Sequence, residues 1–214
     1  MTDPNRTLIA VLLDRSGSMQ SIRSDIAGGF DAFIAAQREE SGDATVVLAQ
    51  FDDEYEHVFS LPIAEVPPLE LRPRGSTALL DGVGRLSAEV GDQLAALPEG
   101  ERPGTVLIVV LTDGHENASR EWTYDAVRSV ITHQEQVYGW EYIFLGANMD
   151  AVSVGRRMGV KPVQAMMYSA GAAEVDSVFR ATSDLTSRHR RNPNSAPVEG
   201  FSERDRRDAM GADN

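Results

Sequence analysis

The 214-residue chain contains no cysteine. That absence excludes a disulfide framework, a thiolate zinc or iron–sulfur site, and a cysteine nucleophile. Long apolar runs are missing too. The two longest, residues 7–13 and 105–111, fall far short of the roughly 20 residues a membrane span requires. The amino-terminal MTDPNRT has no apolar stretch behind a basic cluster, so it reads as a protein without a secretory signal, resident in the cytoplasm. Lysine is nearly absent: Lys161 stands alone among arginines, a bias that hints at a GC-rich genome. Positive charge is outweighed, with 20 Lys and Arg against 33 Asp and Glu and a net charge of −13. Such a surface repels phosphate backbones, so nucleic acid is not an expected partner. The one candidate basic patch, Arg188, Arg190 and Arg191 with Arg204, Arg206 and Arg207, is interleaved with Glu199, Glu203, Asp205, Asp208 and Asp213.

What is present suits one ordinary domain with some excess length: 42% of residues are hydrophobic and 25% charged. Residues 7–13 and 105–111 read as strands buried on both faces of a parallel sheet. Residues 44–51 and 55–61 are β-rich and separated only by Asp52-Asp53-Glu54, which predicts an antiparallel hairpin. Strands are further expected at 141–145 and 163–168. Three-to-four-residue apolar spacing predicts helices over 21–38, 78–94, 123–138, 151–158 and 172–185. Residues 62–76, rich in proline, read as a loop. Alternation of this kind indicates an α/β fold with a mostly parallel sheet flanked by helices. Beyond Thr186 the chain turns polar, and residues 186–214 read as a flexible tail on a domain of residues 1–185.

In such folds, ligands gather at the carboxyl ends of strands. Three loops there carry hard oxygen donors. Asp14-Arg15-Ser16-Gly17-Ser18 follows the first strand, and alternate residues of an extended loop point the same way, so Asp14, Ser16 and Ser18 converge. Thr77, in Arg74-Gly75-Ser76-Thr77, opens a helix and offers a hydroxyl. Asp113, in Thr112-Asp113-Gly114, adds a second carboxylate. Carboxylates and hydroxyls are the ligand class of Mg²⁺, Mn²⁺ or Ca²⁺. The competing reading of Asp14–Ser18 is plain helix capping by serine.

D-x-S-x-S at Asp14–Ser18, Thr77 in its Gly-Ser-Thr loop and T-D-G at Thr112–Gly114 together resemble the von Willebrand factor A family and its metal-ion-dependent adhesion site. The resemblance spans roughly residues 5 to 185. It implies a Rossmann-like sheet with one antiparallel edge strand and helices on both faces. It also implies that Ser16, Ser18 and Thr77 bind the metal through hydroxyls, with Asp14 and Asp113 acting directly or through water. The expected function is a metal-dependent protein-interaction module, not an enzyme, in which Mg²⁺ bridges to an Asp or Glu of a protein partner. Stand-alone members of the family serve larger intracellular assemblies, including chaperone-like ATPases. The family also suggests that the helix at 172–185 and the arginine-rich tail respond to the metal.

The alternative is a metal-dependent hydrolase or phosphotransferase using Asp14 and Asp113, for which His115 or Glu116 is the local candidate base. A triad of Ser16 or Ser76 with His115 and Asp113 lacks a G-x-S-x-G elbow, so His115 and Glu116 are read as tuning partner choice at the metal rim. Trp122 and Tyr124 are either an apolar rim or the buried start of a helix. Asp150 reads as a helix cap, and Gly28-Gly29 as a close approach of its helix to the sheet. Gly82-Val83-Gly84 lies in a helical pattern and is no dinucleotide fingerprint.

Overall fold

The computed structural model describes residues 2–192 and 198–211. Six strands form one sheet: β1 (Asp3–Asp14), β2 (Asp43–Phe51), β3 (Tyr55–Pro62), β4 (Pro103–Thr112), β5 (Glu141–Ala147) and β6 (Ala165–Tyr168). Their spatial order is β3-β2-β1-β4-β5-β6. All neighbours are parallel except β2 and β3. Three residues join that pair, enough for a hairpin and too few for a crossover. The result is a mostly parallel sheet with one antiparallel edge strand and helices on both faces.

The helices are α1 (Arg23–Arg38), α2 (Leu79–Ala95), α3 (Tyr124–Tyr138), α4 (Ala151–Met158), α5 (Ala172–Arg191) and α6 (Glu203–Asp208). Alternating residues of β1 serve opposite cores, because successive side chains of a strand point to opposite faces. Ile9, Val11 and Leu13 join α1 and α5 through Ile26, Phe30, Phe33 and Val178. Leu8, Ala10 and Leu12 join α2, α3 and α4 through Leu79, Val83, Ile131 and Met158. The α1–α5 contact is close because a Cβ at Gly29 would lie 2.1 Å from the Phe179 ring, whereas one at Gly28 would meet open space. Gly29 therefore admits a neighbouring helix, and the expected role of the glycine pair against the sheet is not what either performs.

Some boundaries differ from expectation. Pro162–Gln164 forms a 3-10 turn where strand was predicted, with proline at the first helical position. The proline-rich stretch expected as a loop ends β3 at Pro62 and forms a 3-10 turn at Ile63–Glu65; its irregular remainder buries Val66, Leu69 and Leu71 in the α1–α5 core.

The expected flexible tail from residue 186 needs correction in its described part. Helix α5 continues to Arg191, with Thr186, His189 and Arg190 buried. Phe201 and Ala209 join the α1–α5 core. Ser169 N–H donates to Ala209 O at 3.0 Å, and Phe201 N–H to Val163 O at 2.8 Å. A capping box between Ser202 and Asp205 starts α6. Polar composition misled because the arginines are spent internally: Arg190 donates to Gln37 O at 2.6 Å, Arg206 to Ala165 O at 2.8 Å, and Arg188 to Gly200 O at 3.2 Å. Residues 193–197 and 212–214 of that stretch lie outside the described residues. Phe201→Ala should cost about 3 kcal/mol, read as a lowered thermal midpoint; an unchanged midpoint would restore the flexible-tail reading.

The chain leaves β1 toward β2 on one side and β4 toward β5 on the other. Strand order thus reverses between β1 and β4, which opens a crevice at their carboxyl ends. No described helix is long and apolar enough to cross a membrane.

Candidate metal centre

Asp14 ends β1 at the floor of that crevice and is 0% exposed. Its Oδ1 accepts Ser16 N–H at 2.6 Å, and its Oδ2 accepts the Thr112 hydroxyl at 2.5 Å from the end of β4. Burial pushes the Asp14 carboxyl up to about 6, against the pull of these hydrogen bonds and with a smaller push from Asp113. Asp113 is half-buried, and its carboxyl is raised by the same cause.

The serines come next. Ser16 begins a 3-10 turn (Gly17–Ser21) but makes no capping bond with its side chain, so the capping reading fails. Instead the Ser16 and Ser18 hydroxyls lie 3.1 Å apart, and Ser18 donates to Asp113 Oδ1 at 2.6 Å. Met19, 0% exposed, anchors the turn in the core. Thr77 is buried just ahead of α2. A Cβ at Gly114 would lie 2.5 Å from the Thr77 hydroxyl, so glycine next to Asp113 is what lets the second loop close on the third. The Ser16, Ser18 and Asp113 side chains thus touch one another above Asp14, and the Thr77 hydroxyl lies beside Gly114, the residue after Asp113.

Sequence reasoning missed what holds the second and third loops together. Glu116 Oε1 accepts Ala118 N–H and Ser119 N–H at 3.1 and 2.8 Å. Its Oε2 accepts Leu80 N–H at 3.0 Å and the Ser119 hydroxyl at 2.7 Å. Asn117 and Thr77 exchange two bonds, Thr77 N–H to Asn117 Oδ1 and Asn117 N–H to Thr77 O, both at 3.0 Å. Asp81 returns the favour across the gap, accepting N–H groups of Arg120, Glu121 and Trp122 at 2.8 to 3.0 Å. The first turn of a helix has free N–H groups; here α2 receives its acceptors from the loop after β4. Glu116 is thus a structural clamp, and its expected role at the rim is corrected. The signal was present as an acid three residues before a serine, but its partner on α2 is 36 residues away.

The other candidates separate cleanly. His115 is exposed and makes no hydrogen bond to Ser16, Ser76 or Asp113 among the described residues. Trp122 packs on α2, where a Cβ at Gly84 would lie 2.1 Å from the indole. Tyr124 lies beneath the Arg157 guanidinium, 3.8 Å from its ring centre. Asp150 caps α4 by accepting Ser153 N–H at 2.9 Å. Among the described residues no group of three or more His, Asp or Glu side chains gathers as a metal site; the candidate centre is instead rich in hydroxyls.

No family model and no curated protein sequence matches the chain. Solved structures do. A von Willebrand factor type A protein from Catenulispora acidiphila superposes with TM-score 0.57 and 15% identity, covering 86% of this chain and 43% of its own. The ArnB paralog VWA2 from Sulfolobus acidocaldarius gives 0.54 and 15%, covering 82% of this chain and 44% of its own. The chain has a von Willebrand factor A fold. A third structure with this fold, proximal thread matrix protein 1 from the mussel byssus with a zinc-occupied MIDAS motif, gives 0.59 and 16%, covering 86% and 47% respectively. The chain spans less than half the length of each of these structures.

The donor set in this von Willebrand factor A fold suits a hard divalent cation. A buried carboxylate at the floor is held by two neutral donors and raised by burial, the condition under which a cation gains most from binding. Ser18 and Asp113, at the rim, are more accessible.

Proposed function

We propose that this chain is a non-enzymatic, metal-dependent protein-interaction module, acting within a larger intracellular assembly. Asp14, Ser16, Ser18, Thr77 and Asp113 would hold the ion, with Mg²⁺ first and Mn²⁺ or Ca²⁺ as substitutes. The observation that carries this reading is the contact of the Ser16, Ser18 and Asp113 side chains above buried Asp14. The zinc-occupied MIDAS motif of the mussel protein, on the same fold, supports binding of a divalent ion.

A divalent cation bound there would supply a Lewis-acidic position that an Asp or Glu of the partner completes. The chain's own part is to keep the ion electrophilic. Two carboxylates and three hydroxyls neutralise it less fully than four carboxylates would, so an incoming anion is still attracted. Of the two candidate bases for a hydrolytic role, Glu116 has both oxygens committed to the α2 clamp, and exposed His115 makes no hydrogen bond to Ser16, Ser76 or Asp113 among the described residues.

The test is affinity capture from the source lysate in Mg²⁺ and in EDTA, with Asp14→Ala beside the wild type. The expected result is a protein retained by the wild type only in Mg²⁺ and never by Asp14→Ala. A set of captured proteins unchanged by EDTA or by Asp14→Ala would refute the metal-bridged interaction.

A further inference from the structure

We infer that Asp52 is a positioning residue for the metal centre, fixing the loop of Asp14, Ser16 and Ser18 against the loop of Thr77; this rests on the metal-binding reading above. Asp52 follows β2, a strand that contributes no candidate ligand, and its side chain is 1% exposed. Its Oδ2 accepts the Nε of Arg15 at 2.8 Å and the Nε of Arg74 at 2.7 Å. Its Oδ1 accepts Glu54 N–H at 2.7 Å. Its backbone carbonyl accepts Ala78 N–H, one residue past Thr77, at 2.8 Å.

The two arginines belong to the two ligand loops. Arg15 lies between Asp14 and Ser16, so alternation along the extended loop sends its side chain away from the crevice and toward Asp52. The backbone repeats the link: Arg74 N–H donates to Arg15 O at 2.7 Å, and Gly17 N–H to Gly75 O at 3.2 Å. One carboxylate oxygen thereby holds two loops whose other direct hydrogen bonds to each other, among the described residues, are main-chain ones.

Energetics separate this from ordinary stabilisation. A buried ion pair gives back in Coulomb attraction little more than it loses in desolvation, so its worth is directional. Charge adds a second reason. Arg15 is 7% exposed, and without Asp52 its guanidinium, turned away from the crevice but carried on the same loop, would keep Glu56 as its one carboxylate partner among the described residues. Uncompensated positive charge next to a cation site repels the cation.

The experiment measures Mn²⁺ affinity by electron paramagnetic resonance of the free ion, with the full chain. Asp52→Asn should bind Mn²⁺ at least about tenfold more weakly than the wild type. Because that substitution also touches a buried pair, Val127→Ala serves as a control of lowered stability on α3, and it should keep wild-type affinity. Arg74→Ala covers the case of a poorly folded Asp52 variant. The Arg74 side chain is 58% exposed, so its loss should move the thermal midpoint by less than about 3 °C and still weaken Mn²⁺ binding. Affinities within twofold of wild type for both Asp52→Asn and Arg74→Ala would overturn the positioning role. So would an equal loss in Val127→Ala. If the wild type itself fails to bind Mn²⁺, or Asp14→Ala binds it as well as wild type, the metal-binding reading falls and this inference with it.

Discussion

Asp14→Asn should raise the thermal midpoint of the metal-free protein and abolish the further rise that Mg²⁺ brings to the wild type. Asp14 is 0% exposed, and no arginine or lysine among the described residues is paired with it. Burial holds its pKa at about 6, which corresponds to about 3 kcal/mol of unfavourable charge burial at neutral pH. Asparagine removes the charge, and its carbonyl oxygen still accepts a hydrogen bond. The sign with pH follows from the raised value. The folded state binds the proton more tightly than the unfolded one, so the penalty is full above about pH 6 and fades as the pH falls toward the unfolded value near 4. The advantage of the variant in EDTA should therefore be large at pH 7.5 and vanish near pH 4. In Mg²⁺ the order should reverse, because only the carboxylate pairs with the cation. Calorimetry at the two pH values, with EDTA and with Mg²⁺, checks all of this. An Mg²⁺ response that survives in Asp14→Asn would remove Asp14 from the ligand set.

The second large effect is expected at Glu116. Glu116→Ala leaves Leu80, Ala118 and Ser119 N–H groups and the Ser119 hydroxyl without their acceptor. Water replaces part of that loss at a half-buried site, so the cost should be about 2–4 kcal/mol, a fall of roughly 5–15 °C in thermal midpoint. Glu116→Gln keeps one acceptor oxygen and should recover part of it. His115→Ala, one residue away, should be silent in the same measurement because His115 is exposed. Equal midpoints for Glu116→Ala and His115→Ala would show that the clamp does not hold the loop.

Much of the frame was legible in local patterning. The apolar runs at 7–13 and 105–111 lie within β1 and β4, the central pair of the sheet. The short Asp52-Asp53-Glu54 link foretold the one antiparallel pair. Both signals are legible because a strand buried on two faces must be apolar throughout, and a three-residue connection can only reverse the chain. The loops of Asp14, Thr77 and Asp113 were also foreseeable, since strand ends in a parallel sheet are where polar side chains can gather.

Less legible was every role defined by a partner distant in sequence. Glu116 looked like a rim residue and caps α2 from 36 residues away. Asp52 looked like a turn residue and joins the loop of Asp14 to the loop of Thr77 through Arg15 and Arg74, 37 and 22 residues away. Arg190 and Arg206 read as members of a basic patch in a flexible tail, and they bind main-chain carbonyls of Gln37 and Ala165. Trp122 fits either rim or core by its sequence, and its packing against Gly84 of α2 decides for the core.

By itself the sequence determined the six strands, the helices α1 to α4 and the first part of α5, the sense of β3 and the oxygen donors in the candidate loops, because periodicity and residue chemistry are local properties. Only the tertiary structure decided which acids face the crevice and which clamp it, and that the segment around Phe201 closes over β6. Those outcomes depend on backbone N–H and C=O groups, which every residue carries alike and which no side-chain pattern can announce.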